Sequence, residues 1–364
     1  MTREELAWLR IHLTNGLGRT GLIRLMETFG GPEAILAAEP VTWIGKAGIR
    51  PAVAAALPPE NDPRFLHSVE RLDRIGAKIV TLWDEGNYPA ALRTIYDPPA
   101  LLYLRGEMPG GECFAVVGAR NASSCGLQLA YEISAELAAR GIFIVSGLAR
   151  GIDSAAHRGA LKRGRTVAVL GCGIDQIYPL ENRRLTSQII DSGGVLSEYP
   201  PGTPPLPGHF PGRNRIISGL SRGVLVVEAA AKSGSLLTAD FALEQGREVF
   251  AVPGQVHLEG STGVNRLLKE GAHLVTDAED ILLELWPDSC KPNDRNSQDQ
   301  LAANLSGKTL SVYLALGPEP QHIDELARKC TLTPMELSAI LLHLELANGA
   351  VQLPGMRYIR KNFP

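Results

Sequence analysis

The sequence predicts an α/β protein built on a doubly wound, mostly parallel sheet, with a helical module before it and a small helix-and-hairpin unit after it. Three observations carry this. Between residues 76 and 287, short apolar runs rich in β-branched residues, from CFAVVGA (113–119) to HLVTD (273–277), alternate with helical stretches. Strands that are apolar throughout, and not in alternation, belong to a sheet covered on both faces. Before residue 76, glycine-bearing turns separate apolar helical faces; after a polar stretch at 288–303 the pattern is helix, helix, helix and hairpin.

Taken in order, residues 1–75 read as short helices. NGLGRTGLIRLMETFGG (15–31) and WIGKAGI (43–49) place glycines in the turns, as in a SAM-like or helix-hairpin-helix module. Such a turn can offer backbone amides to a phosphate, and a plain packing module is the simpler reading. KIVTLWDEGNYPAALRTIYDPPALLYLRG (78–106) extends the sheet through a proline-rich turn. The Rossmann-like core of 76–287 then runs through IFIVSG, TVAVLG, GVLSEY, GVLVVEA and EVFAVP, with helices such as LQLAYEISAELAAR (127–140) and LLTADFALEQG (236–246) between them. Residues 288–303 are polar, proline-bearing and without periodicity, so they form a linker. HIDELARKC, TPMELSAILLHLELANG and AVQLPGMRYIRK, within 304–364, have the outline of a winged helix.

Composition narrows the function. A net charge of −3 carries no global basic field, so any nucleic-acid site has to be local. The start MTREELAWLRIHL lacks the features of a signal peptide, and no apolar stretch approaches the ~20 residues that span a bilayer. Cys113, Cys125, Cys172, Cys290 and Cys330 are scattered and never in CxxC spacing. They read as reduced, mostly buried thiols of a cytoplasmic protein, and support neither a zinc site nor a disulfide framework.

The chemistry gathers at strand tips, because a parallel sheet brings its carboxyl ends to one rim, where ligands bind. VVGARNASSCG (116–126) puts Arg120 in the first loop; it is not GxGxxG, which disfavours a dinucleotide. IVSGLARGIDSAAHRGAL (144–161) follows with Ser146, Gly147 and Arg150. Here Asp153 reads as the N-cap of the next helix, and His157 as a structural histidine. CGIDQIYPLENRRLT (172–186) adds Arg183 and Arg184. HFPGRNRIISG (209–219) adds Arg213, Asn214 and Arg215 in the turn opening a helix whose buried face is Ile216, Ile217 and Leu220. Cations there oppose the helix dipole, which makes sense if an anion shares the site; removing Arg213 should therefore leave stability level or slightly raised. Lys232, Ser233, Gly234 and Ser235 precede another helix and form an anion site, although the order of residues is not that of a Walker A loop. Six cations on one rim (Arg120, Arg150, Arg183, Arg213, Arg215 and Lys232) suggest a track for several phosphates, such as a nucleic-acid backbone.

SGLARGIDSAAHRGAL, YPLENRRL, LSEYPPG, FPGRNRIISGLSRGVLVVEAAAKSGSLLTA, GREVFAVPG and GVNRLLKEGAHLV together resemble the DprA/Smf family of DNA-processing proteins, over about 80–287. The resemblance implies a homodimer that binds single-stranded DNA during natural transformation, protects it and loads the RecA recombinase, with no cofactor, metal or catalytic residue. It assigns DNA contacts to Arg120, to Arg183 and Arg184 and to the helix start at 232–235. Leu180 stands where many members carry a basic residue. In the tail, the expected recognition helix, TPMELSAILLHLELAN, holds Glu336 and Glu345 and no Lys or Arg, and only the wing, with Arg357, Arg360 and Lys361, is basic. A protein-contact or regulatory role suits this unit, with duplex binding as the other reading. The rival function is a nucleotide-processing enzyme of the lysine-decarboxylase-like (nucleoside monophosphate phosphoribohydrolase) type, with Glu228 and Asp240 as its carboxylates; the PGGxGT loop of that group is missing. In the first reading Glu228 orients the nearby arginines.

Overall fold

The computed structural model describes residues 1–287, 305–317, 319–346 and 349–360. The chain forms two compact units, Met1–Leu285 and Trp286–Pro364.

The first unit opens with six helices: α1 (Arg3–His12), α2 (Arg19–Phe29), α3 (Pro32–Ala37), α4 (Pro40–Ala47), α5 (Pro51–Ala54) and α6 (Pro63–Ile75). α1 starts with a capping box in which the Thr2 side chain accepts from the Glu5 amide while the Glu5 carboxylate accepts from the Thr2 amide. These helices do not keep a separate core. Trp8, Ile11, Leu25, Trp43 and Leu72 join Tyr103, Ile189 and Val195 of the sheet domain in one apolar cluster.

The sheet strands are β1 (Lys78–Thr81), β2 (Leu101–Gly106), β3 (Cys113–Val117), β4 (Phe143–Ser146), β5 (Thr166–Leu170), β6 (Gly194–Ser197), β7 (Gly223–Val226), β8 (Glu248–Ala251) and β9 (His273–Leu274). Their spatial order is β1-β2-β6-β5-β4-β3-β7-β8-β9. β1, β2 and β6 pair antiparallel, and every pair from β6 to β9 is parallel. The short helix α7 (Ala90–Arg93) sits in the β1–β2 connection; α8 (Ser124–Ala139), α9 (Ile152–Arg163) and α10 (Arg183–Ser192) link β3 through β6. α11 (His209–Leu220), α12 (Leu236–Glu244) and α13 (Thr262–Lys269) link β6 through β9, and α14 (Ala278–Leu285) follows. The order reverses at β3, so right-handed crossovers place α8–α10 and α11–α13 on opposite faces. The crevice between β3 and β7 is the topological switch point, where this class of sheet takes its ligands. β3, β5, β6 and β7 are buried at every residue, as their unbroken apolar runs require.

The second unit has the winged-helix order α15 (Gly307–Ala315), β10 (Gln321–His322), α16 (Ile323–Cys330), α17 (Pro334–Leu346), β11 (Ala350–Leu353) and β12 (Arg357–Arg360). β12 pairs with both β10 and β11, and Val312, Tyr313, Leu326, Leu337, Leu341 and Leu344 fill its core. The expected linker at 288–303 and Lys361 lie outside the described residues.

Among the described residues no helix is long and apolar enough to cross a membrane. The described cysteines are free thiols; Cys113 and Cys172 are buried, Cys330 is half-buried, and Cys125 is exposed in the first turn of α8. Cys290 lies outside the described residues.

Candidate nucleic-acid interface

Two adjoining cavities open along the strand tips. One, of about 300 Å³, is lined by Arg120, Gly147, Arg150, Tyr178, Phe210 and Arg213 among others. The second, of about 190 Å³, lies at the β3/β7 switch point and is lined by Arg120, Phe210, Arg213, Asn214, Ser233 and Ser235 among others. Arg120, Phe210 and Arg213 border both. The Phe210 ring lies 5.5 Å from the Arg120 guanidinium, 5.9 Å from that of Arg213 and 6.0 Å from the Tyr178 ring. Sequence reasoning missed Phe210 and Tyr178. The signal was an aromatic residue three positions before Arg213, at the start of a stretch whose charges and apolar face were the features read.

α11 starts at His209, four residues earlier than the sequence suggested. Arg213 and Arg215 therefore sit beyond its first turn, where the dipole effect has faded, and each owes its place to something else. Arg213 is only 5% exposed, and its Nη1 donates to the Val169 carbonyl at 2.5 Å. Its guanidinium lies over Gly147, where any Cβ would overlap Nη1, so the chain requires glycine at that point. Burial lowers the Arg213 pKa and the field of buried Asp153 offsets part of that shift. Asp153 is not the N-cap of α9, a position held by Gly151; its Oδ2 accepts from the Gly147 amide at 3.1 Å and the Ala149 amide at 3.3 Å. Burial raises the Asp153 pKa, and Arg213 with those amides opposes the rise. Arg213 is thus a buried counter-ion as well as a cavity wall, and its expected freedom from the scaffold does not hold.

Arg215 is engaged elsewhere. Its Nη2 donates to both oxygens of Glu198 at 2.6 Å, its Nη1 to the Asp97 carbonyl at 2.8 Å, and its Nε lies 3.3 Å from the Asp97 carboxylate. The bidentate pair uses the planar donors a phosphate would need, so Arg215 anchors α11 and does not belong to the rim track. Ser146 is buried as well, its hydroxyl donating to the Val116 carbonyl at 2.6 Å and tying β4 to β3.

The remaining cations face outward. Arg183 and Arg184 are exposed as the first two residues of α10, so the opposition between arginine and helix dipole that the sequence suggested for α11 occurs here. Lys232 is exposed in the turn before α12, and none of these three side chains pairs with a described residue. Arg150 is exposed and forms an ion pair with Glu181, its Nη2 donating at 2.7 Å. Ser233 and Ser235 share a hydroxyl hydrogen bond of 2.8 Å, no side chain caps α12, and Asn214 Nδ2 donates to the Gly234 carbonyl at 3.2 Å. That last bond ties α11 to the loop beyond β7.

The 147–151 loop is held in shape from within. Leu148 has φ of 59°, unusual for a branched residue, and Asn182 fixes it by donating to the Leu148 carbonyl at 2.9 Å. His157 Nδ1 lies 2.7 Å from Thr166 Oγ1, whose proton goes to the Ile144 carbonyl; the histidine therefore donates from Nδ1 and is structural. Burial depresses its pKa to about 3 and keeps it neutral. Glu228 forms no ion pair with an arginine among the described residues: its carboxylate accepts from the Ser123 amide at 3.0 Å and from the Ser123 hydroxyl. Asp240, its partner in the rival enzyme reading, is exposed on α12 and lines neither cavity. Among the described residues no group of three or more His, Cys, Asp or Glu is placed to hold a metal ion.

A larger cavity, about 1060 Å³, opens between α1, β1 and β2. Glu4, Glu5, Asp84, Glu85 and Glu107 line it, with Lys78 as the one cation among the described residues, a field that repels a phosphate backbone. In the second unit, Lys308 Nζ donates to Glu336 at 2.8 Å, and Arg360 packs 5.0 Å over Tyr313 while donating to the Leu314 carbonyl. Of the two described wing cations, Arg357 alone is left for a phosphate.

Residues 78–286 match the family model of DNA recombination-mediator protein A, and residues 296–356 match the DprA winged helix domain. Protein Smf of Escherichia coli is 44% identical over 76% of this chain and 76% of its own length. Protein Smf of Synechocystis sp. is 34% identical over 98% of this chain and 99% of its own. Among solved structures, DNA processing protein A from Streptococcus pneumoniae is 37% identical with a TM-score of 0.66, covering 78% of this chain and 99% of that one. DNA processing protein A from Helicobacter pylori, described for its single-stranded DNA binding mode, is 31% identical with a TM-score of 0.53, covering 58% of this chain and 96% of that one.

Proposed function

This chain belongs to the DNA recombination-mediator protein A family, and on that premise we propose that it binds single-stranded DNA along the strand-tip cleft, as a homodimer that protects the strand and loads RecA in the cytoplasm. The observation that carries the reading is Phe210. An aromatic ring set between Arg120 and Arg213 at the mouth of both cavities gives a base a stacking surface beside cations for its phosphates. A single strand can offer both groups at once, whereas a duplex keeps its bases stacked inside. The phosphate track runs over Arg120, Arg183, Arg184 and Lys232, with the Ser233–Ser235 loop and Arg213 at its centre. The single-stranded DNA named for the Helicobacter pylori relative supports this assignment.

The winged-helix unit serves protein contact. Its third helix, α17, presents Met335 and Leu342, 84% and 57% exposed, beside acidic groups that repel DNA.

The test is a gel-shift comparison of single-stranded and duplex DNA across a salt series. Four exposed, unpaired cations predict that log K falls with log salt at a slope near ~−3, at ~0.7 per phosphate. Equal affinity for duplex, or a flat salt response, overturns the cleft as the site.

A further inference from the structure

The first turn of α8, at the switch point, is closed by a carboxylate from a distant part of the chain. Ser123 is the N-cap, and its Oγ accepts from the Gly126 amide at 3.0 Å. In a capping box, a Glu or Gln at the third helical position completes the motif by accepting the N-cap amide. Here that position is Gly126, and Glu228, just past the end of β7, supplies the carboxylate. One oxygen accepts from the Ser123 amide at 3.0 Å and the other from the Ser123 hydroxyl. A Cβ at position 126 would overlap that carboxylate and lie 2.7 Å from its carbon. The glycine is what admits Glu228.

A helix N-terminus at the switch point of a doubly wound sheet is the usual seat for a nucleotide phosphate. In this protein the seat is filled by the chain's own anion. We propose that Glu228 is a positioning and selectivity residue with two effects. It clamps the 118–123 loop, which carries Arg120, to the 227–235 loop, which carries Lys232 and Ser233–Ser235. It also denies the α8 terminus to the phosphates of free nucleotides, leaving the outer rim for a continuous strand. The first effect rests on the single-strand reading above and the second does not.

The experiment compares the full-length protein with Glu228→Ala, Gly126→Ala and Glu228→Gln, measuring melting temperature, affinity for an oligothymidylate and binding of inorganic pyrophosphate. Gly126→Ala expels the carboxylate while placing a better helix former in α8, so it tests the clamp even if Glu228→Ala fails to fold. Glu228→Gln changes the net charge as Glu228→Ala does but keeps the seat filled; it can still accept from the Ser123 amide. The two alanine variants should bind pyrophosphate about tenfold more tightly than the parent and the oligonucleotide about fivefold more weakly, with Glu228→Gln close to the parent in both. Alanine variants that match the parent in both assays overturn the proposal. So does loss of oligonucleotide affinity without a gain in pyrophosphate binding, which makes Glu228 a structural cap. If the parent itself fails to hold the oligonucleotide, the single-strand reading falls, and the pyrophosphate comparison still decides whether Glu228 guards the seat.

Discussion

Replacing Arg213 by Ala removes a buried cation and should destabilise the protein, in contrast to an arginine that merely opposes a helix dipole. The Nη1 bond to the Val169 carbonyl is charge-assisted, a class of bond that contributes about 1.5–3 kcal/mol. Its loss also strips Asp153 of the positive field that offsets its burial. Asp153 keeps the Gly147 and Ala149 amides, so the lost hydrogen bond to Val169 sets the scale of the cost. With about 1.5–3 kcal/mol lost and about 2–4 °C per kcal/mol for a unit of this size, the melting temperature should drop by about 3–12 °C. The loss should also depend on pH. The folded Asp153 pKa lies above its ordinary value, so the folded state holds that proton more tightly and stability falls as pH rises through the folded value. Without Arg213 the value climbs further, so the deficit of the variant relative to the parent should be larger at pH 8 than at pH 5. Differential scanning fluorimetry at both pH values measures it. A variant that melts within about 2 °C of the parent at pH 8 refutes the buried counter-ion and restores the dipole argument.

Lys232→Ala should do the opposite, weakening single-strand binding about fivefold and flattening the salt slope by ~0.7 while the melting temperature stays level. Phe210→Ala should lower affinity by about 1–3 kcal/mol of stacking with the salt slope unchanged, since no charge is removed; a changed slope in the same salt series counts against stacking. A chain ending at residue 287 should keep its single-strand affinity within about threefold, because the cleft lies wholly in the first unit and the α17 surface is acidic; fluorescence anisotropy on the truncated protein checks this. His157 is buried and His12 half-buried, and desolvation depresses their pKa values to about 3 and about 4, so both are neutral. The unfolded chain takes up these protons below about 6.5, so stability should be lost as pH falls below that value, by up to about 1.4 kcal/mol per histidine and pH unit. His12→Gln should halve that part of the slope in melts between pH 7 and 5.

What the sequence determined by itself was the architecture and the rim. Unbroken β-branched runs can belong only to strands covered on both faces, and that fact carries the parallel sheet and brings Arg120, Gly147, Arg150, Lys232 and Ser233–Ser235 to one edge. The buried face of Ile216, Ile217 and Leu220 was equally legible, because helical periodicity is local. Only the tertiary structure decided how the cations are used. Arg213 and Arg215 are two residues apart and look alike in the chain, yet one faces Asp153 and a cavity while the other is held by Glu198 and Asp97. Partners 17 to 118 residues away in sequence, on other elements of the fold, set that difference, so no local pattern encodes it. The same holds for Glu228, whose partner Ser123 stands 105 residues away and meets it because the strand order reverses at β3. Charge type is written residue by residue; whether a charge is free to meet a ligand depends on what the fold packs against it.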